Sequence, residues 1–203
     1  MHLSEGVLHS STLLIGAVGA VIGLAIGLKK MTGDKLPLTA LFSAAFFVAS
    51  TIHIPVGIGS VHLILNGIAG LFLGWRVFPA FLIALTLQAL MFSFGGLAVL
   101  GVNLCIMALP AVVVRLSVFP WLKANVCRQR LIVSGILSGV IGVGGAALLA
   151  SSVLAFDGSN QYHDLISLLL VSHLPVFVVD SLISVGVLLT LAKMLPSTFE
   201  NAE

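Results

Sequence analysis

The chain has 203 residues, 59% of them hydrophobic and only 8% charged, with a formal net charge of +2 and a mean hydropathy of +1.22. Soluble domains are about 25% charged, so this chain cannot dress a water-facing surface. A soluble enzyme, a nucleic-acid binder and a disordered protein are excluded; a polytopic membrane protein remains.

The opening stretch, MHLSEGVLHSSTLL, carries no Lys or Arg. It lacks the basic start of a cleaved signal, so it is expected to be retained and to begin Met1–His2. Seven apolar runs follow, predicting helices over about 11–28, 37–53, 61–75, 77–94, 102–119, 131–155 and 165–192. The third reaches about 22 Å at ~1.5 Å per residue, less than the ~30 Å hydrocarbon core. Before it lies IHIPVGIGSVH, residues Ile52 to His62. Pro55, Gly57 and Gly59 should keep that stretch from being regular helix, with His62 at the start of the third helix. A second break is predicted at Gly95–Gly96. Non-helical backbone at membrane depth is tolerated only inside protein or along a cavity, so the two breaks mark where a binding site is expected.

Continuous apolar runs exclude the alternating pattern of a β-barrel. Seven spans of about 20 residues use roughly 140 positions and leave no room for a soluble domain. The expected fold is therefore all-α, one membrane bundle of about seven transmembrane helices. Residues 1–10 form an N-terminal segment, 11–192 the bundle and 193–203 a tail. With the N-terminus outside, all nine basic residues fall inside: Lys29, Lys30, Lys35, Arg76, Arg115, Lys123, Arg128, Arg130 and Lys193. That matches the positive-inside rule and makes the C-terminus cytoplasmic. Cys105 and Cys127 are a full span apart and cannot pair.

The same threading puts His2, His9, His53, His62, His163 and His173 at or near the outer face. Neutral imidazole is the commonest metal ligand, so a site of two or three of them could capture a divalent transition metal from outside. Met1–His2 adds a chelate. Its amine, the amide nitrogen between the residues and the imidazole offer three nitrogens in one plane, which suits Ni(II) or Cu(II). The fourth must come from elsewhere, and the amide must lose its proton, so binding weakens in acid. Around His62, GSVHLILNG supplies Ser60 and Asn66. Gln88 and Asn103 are amides inside apolar helices, expected to make interhelical hydrogen bonds rather than to ligate. Asp180 is the sole acid within a span, either a structural partner to a polar residue or a cation's counter-charge. Pro175 should kink the last helix near His173. Gly19, Gly23 and Gly27, like Gly135 and Gly139, recur every four residues and are expected to pack within the bundle.

Four motifs in order resemble the CbiM/NikM family, the metal-binding membrane subunits (S components) of energy-coupling-factor transporters for nickel and cobalt. They are MHLSEGVL, PVGIGSVHL, QALMFSFGGLAVLGVN and HLPVFVVDSLIS, and together they run from Met1 to about Ser184. The resemblance implies that the N-terminal segment tucks into the bundle. There the Met1 amine, the His2 amide and imidazole, and His62 would hold Ni2+ or Co2+ as transported substrate, with no organic cofactor. Ser60, His53, Asn66, Gln88, Asn103, His173 and Asp180 are candidate supporting residues. The resemblance also implies partners in a prokaryotic inner (plasma) membrane: an integral membrane coupling subunit (T component), a cytoplasmic ATPase pair and, in some systems, a small accessory membrane subunit. The chain has no phosphate-binding loop of its own, so it reads as a transporter subunit rather than an enzyme. Three positions depart from the family's usual residues: Ser4, Asp180 and the additional His53.

Two other classes are weaker. A haem-binding redox subunit needs histidine pairs facing each other within spans, and only His173 is clearly inside one. An intramembrane metalloenzyme needs a motif such as H-E-x-x-H, which is absent.

Overall fold

A computed structural model describes residues 2–51, 53–56, 59–158 and 162–195 of the chain. Helices dominate. α1 spans Ser10–Lys29, α2 Leu36–Thr51, α3 Asn66–Leu73, α4 Val77–Phe92, α5 Leu100–Lys123, α6 Arg128–Gly158, α7 His163–Ser172 and α8 Leu174–Met194. Among the described residues, five helical stretches are long and apolar enough to cross a membrane: Ser10–Lys29, Asn66–Phe92, Leu100–Lys123, Arg128–Asp157 and His163–Met194. The architecture is the expected all-α membrane bundle, with one small sheet added.

Packing contacts fix the direction of each helix. α1 runs parallel to α5, because Gly16 meets Val102 and Gly19 meets Cys105. It runs antiparallel to α4, because Gly23 meets Phe78 and Gly27 meets Trp75 and Pro79. α3 follows α5, with Asn66 bonded to the Met107 carbonyl and Arg115 to that of Leu71. The stretch Asn66–Phe92 therefore folds back on itself at Gly74, whose φ of +56° suits glycine. α6 lies antiparallel to α8, since Gly135 meets Val185 and Gly139 meets Ser181. So α1, α3, α5 and α8 point one way, and α2, α4 and α6 the other. The glycine stripes of α1 and α6 face neighbouring helices, as the internal-packing reading expects. All nine basic residues gather toward the end that holds Gly74.

The turn at Gly74 leaves the last carbonyls of α3 without helical partners. Two arginines take them. Arg76 donates Nε to Leu73 O at 3.1 Å and Nη2 to Phe72 O at 3.1 Å, and Arg115 donates Nη1 to Leu71 O at 2.8 Å. Cations also suit the negative end of a helix dipole.

The expected irregular stretch before α3 is a sheet instead. β2 (His53–Val56) and β3 (Gly59–His62) pair as an antiparallel hairpin, and β1 (His2–Leu3) adds to the other edge of β3. Inside a bilayer an extended backbone must find partners for its N–H and C=O groups, and a hairpin with a third strand provides them. Pro55, which has no N–H, lies on an edge strand, where proline is tolerated. Two expectations are corrected here. The third apolar run is α-helical only over Asn66–Leu73, followed by a 3-10 turn at Gly74–Arg76, and His62 ends a strand rather than starting a helix. The last run breaks at His173, where α7 hands over to α8 with Pro175 at the start of α8, as the kink expectation requires.

Candidate metal centre

The sheet joins the two predicted breaks through the N-terminal segment. β1 lies against β3 in the register His2↔Ser60 and Leu3↔Gly59. On its other side, Asn103 of α5 makes a reciprocal pair with Leu3. The Leu3 N–H donates to Oδ1 at 2.9 Å, and Nδ2 donates to the Leu3 carbonyl at 3.0 Å. Further along, the Glu5 N–H donates to the Gly95 carbonyl at 2.9 Å, and Glu5 Oε1 accepts from the Ala98 N–H at 2.8 Å. His2 and Leu3 are consequently 3% and 1% exposed.

Gly95 and Gly96 have φ of +74° and +114°. These values open the turn toward the N-terminal segment and exclude a Cβ without strain. A Cβ on Gly95 would stand 2.8 Å from Asn103 Nδ2 and 3.4 Å from the Leu3 carbonyl. We expect Gly95→Ala to loosen the segment while leaving the helices intact. Amide hydrogen exchange at Leu3 should accelerate at least about tenfold. Unchanged protection of Leu3 would show that this close approach does not hold it.

Outside this clamp a second one holds the segment. Tyr162 donates its hydroxyl to the Val7 carbonyl at 3.0 Å. Asp157, at the end of α6, accepts the His9 N–H at 3.0 Å, pairs with His9 Nδ1 at 2.9 Å and accepts the Thr12 hydroxyl. Its carboxylate thus holds the start of α1 through the N–H of the N-cap residue His9 and sits at the positive end of the helix dipole.

Held in this way, the His2 imidazole stacks on that of His62, with centroids 4.7 Å apart and planes at 29°. Phe94 lies 6.2 Å from the His2 ring, and Phe46 meets the His62 ring edge-on at 6.5 Å. His62 is 3% exposed. Its Nδ1 lies 2.8 Å from the Leu63 carbonyl, which assigns the proton to Nδ1 and makes Nε2 the lone-pair nitrogen. His173 is also buried, and its Nδ1 lies 2.7 Å from the Leu169 carbonyl. His9 and His163 are exposed. Among the described residues no three His, Cys, Asp or Glu side chains cluster as metal ligands. The pair of imidazoles needs donors of another kind, such as backbone nitrogens.

The remaining candidates fall into place around this pair. Gln88 donates to the Ser50 hydroxyl and ties α4 to α2, the interhelical bond expected of it. Asn103 bonds the N-terminal strand rather than another helix, which corrects the expectation; an amide at that depth pairs with the nearest free peptide group. Asn66 donates to Met107 O at 3.1 Å and Gly142 O at 2.9 Å, bridging α3 to α5 and α6. Asp180 accepts the Leu65 N–H. Ser60 and His53 sit in the sheet opposite His2 and His62 respectively. Met1 lies outside the described residues. Glu5, Phe94 and the Asp157–Tyr162 clamp were missed as site residues. Glu5 was legible only as part of the opening motif, and the loop that holds Tyr162 gave no signal beyond its polarity.

Residues 2–198 match the family model described as CbiM, cobalt uptake substrate-specific transmembrane region. A Haemophilus influenzae protein whose name assigns it to metal transport is 62% identical over 203 residues, covering 100% of this chain and 98% of its own. A Rhodobacter capsulatus protein named fused nickel transport protein NikMN is 32% identical over 160 residues, covering 74% of this chain and 46% of its own. A crystal structure of a truncated transition metal transporter superposes with a TM-score of 0.79 at 24% identity, covering 95% of this chain and 99% of that one.

Proposed function

Because this chain belongs to the CbiM family of cobalt-uptake substrate-specific transmembrane regions, we propose that it captures Ni2+ or Co2+ at the outer face for ATP-driven uptake. The Met1 amine, the His2 amide nitrogen and imidazole, and His62 Nε2 hold the ion. Three of these four nitrogens belong to the first two residues, and they favour a planar arrangement. The observation that carries this reading is the stacking of buried His2 on buried His62, with β1 clamped between β3 and Asn103. Imidazole lone pairs lie in the ring planes, so neither of two stacked rings aims its nitrogen at an ion between them. One ring must therefore turn on its side-chain torsions when both grip a single ion. The same spacing leaves no room for a porphyrin between the two rings, which disfavours a haem-binding role for this pair.

The chain acts as one integral membrane unit over residues 1–203. Residues 1–10 are the chelating segment and the tail from 193 is cytoplasmic; residues 196–203 lie outside those described. All nine basic residues gather at one end, which supports an outer N-terminus. The energy comes from partners: an integral membrane coupling subunit and a cytoplasmic ATPase pair in a prokaryotic plasma membrane.

Metal analysis and competition on the purified chain, with its native N-terminus, test the reading. We expect about one Ni2+ or Co2+ per chain. Cu2+ should displace either ion, since nitrogen sites follow the Irving–Williams order. A chain that takes up none of these ions, although folded, would overturn the proposal.

A further inference from the structure

Between the end of β3 at His62 and the start of α3 at Asn66, three residues, Leu63, Ile64 and Leu65, connect the strand to the helix. The last of them, Leu65, has φ 53° and ψ 15°. This left-handed conformation is unfavourable for any residue with a Cβ and persists only where the surroundings enforce it. Leu65 is the N-cap of α3, and its side chain makes no capping hydrogen bond. Its N–H is taken from across the bundle: both carboxylate oxygens of Asp180 on α8 lie 3.3 and 3.2 Å from it. Asp180 is 1% exposed. The ion pairs among the described residues are His9–Asp157 and Lys35–Asp34, neither of which includes it. A buried carboxylate is costly unless it is hydrogen-bonded, and here its described partner is the backbone of this connector.

The connector has fixed ends. β3 is paired on both edges, and Asn66 is bonded to α5 and α6. His62 is tied within the connector through the Leu63 carbonyl at 2.8 Å. With both ends held, a change in the Leu65 turn has to be absorbed by Ile64, Leu63 and the His62 ring that is bonded to the Leu63 carbonyl. We infer that Asp180 is a positioning residue for His62, acting through the Leu65 backbone; the consequence for metal affinity rests on the site proposed above. The carboxylate does not touch the ion. It holds the turn that aims the imidazole.

Three variants test this by two readouts. Asp180→Leu removes the acceptor at similar volume, Asp180→Asn keeps an amide oxygen that can accept the Leu65 N–H, and Leu65→Gly lets the turn form without help. The 15N imidazole signals of His62, recorded without metal, should shift in Asp180→Leu and return in the double variant Asp180→Leu/Leu65→Gly. They should stay native in Asp180→Asn. Nickel affinity should fall about tenfold in Asp180→Leu and recover to within about threefold in the double variant. Thermal melting confirms that each variant is folded. If Asp180→Leu does not fold, the inference rests on Asp180→Asn, whose native His62 signals and affinity support it. Affinity lost in Asp180→Asn, or in Asp180→Leu without rescue by glycine, overturns positioning in favour of a counter-charge. If the native chain binds no nickel while the His62 signals follow this pattern, the metal reading fails and the positioning role stands.

Discussion

Adding one residue in front of Met1, or acetylating its amine, abolishes tight nickel binding. The proposed chelate closes two small rings through the amine, the first amide and the His2 imidazole, and a blocked amine removes the outermost donor. Loss of a group that only supports a ligand costs about 10–100-fold in affinity. Loss of a ligand should cost at least about 100-fold. The fold should not suffer, because the contacts that seat the segment begin at His2: the pairing with β3, the Asn103 bonds to Leu3 and the Glu5 bond to Gly95. Calorimetric titration of the native and extended chains, with melting curves for both, makes the comparison. Equal affinity would disprove the chelate. Acid provides a companion measurement. Ligation displaces a proton from the amide and, below the usual amine pKa of about 7.7–8.0, another from the amine. Affinity should therefore fall steeply as the pH drops from 8 to 6, and more steeply than for a site built of imidazoles alone.

The bundle was legible because the bilayer restricts the choices. Long apolar runs have to be helices, and the one-sided basic residues give them a direction. What escaped was local. Ile52 to His62 announced itself as non-helical through Pro55, Gly57 and Gly59, but its pairing could not be read without knowing that a third strand would arrive from His2–Leu3. That partner pairs across 56 to 58 positions of sequence (Leu3 with Gly59, His2 with Ser60), and two residues carry no strand periodicity. The start of α3, expected near 61, lies five residues later at Asn66 for a related reason. Leu63, Ile64 and Leu65 are as apolar as the helix they precede, so hydropathy cannot see the left-handed turn at Leu65. Asn103 was recognised as a costly buried amide. Its partner was misjudged because helices seemed its only neighbours until the N-terminal segment entered the bundle. Asp157 and Tyr162, near the far end of α6, touch residues 7–12 only in the folded chain.

His62→Ala weakens nickel binding far more than His163→Ala. His62 is 3% exposed and stacked on His2 at 4.7 Å, its Nδ1 lies 2.8 Å from the Leu63 carbonyl, and its Nε2 is the proposed donor. His163 is exposed at the start of α7. Removing the fourth donor should cost at least about 100-fold in affinity, whereas the exposed histidine should matter by less than about twofold. Truncating a buried ring also leaves a cavity, so part of the loss could come from a slackened β3 rather than a missing ligand. Free imidazole separates the two causes. It can enter the space vacated by His62 and donate a nitrogen, and it should restore much of the affinity without raising the melting temperature to the native value. Restored stability without restored affinity would assign His62 a packing role alone. Equal losses in the two single variants would place the fourth donor elsewhere. Buried His173 would then be the next imidazole to truncate, since its Nδ1 is likewise committed to a carbonyl, that of Leu169.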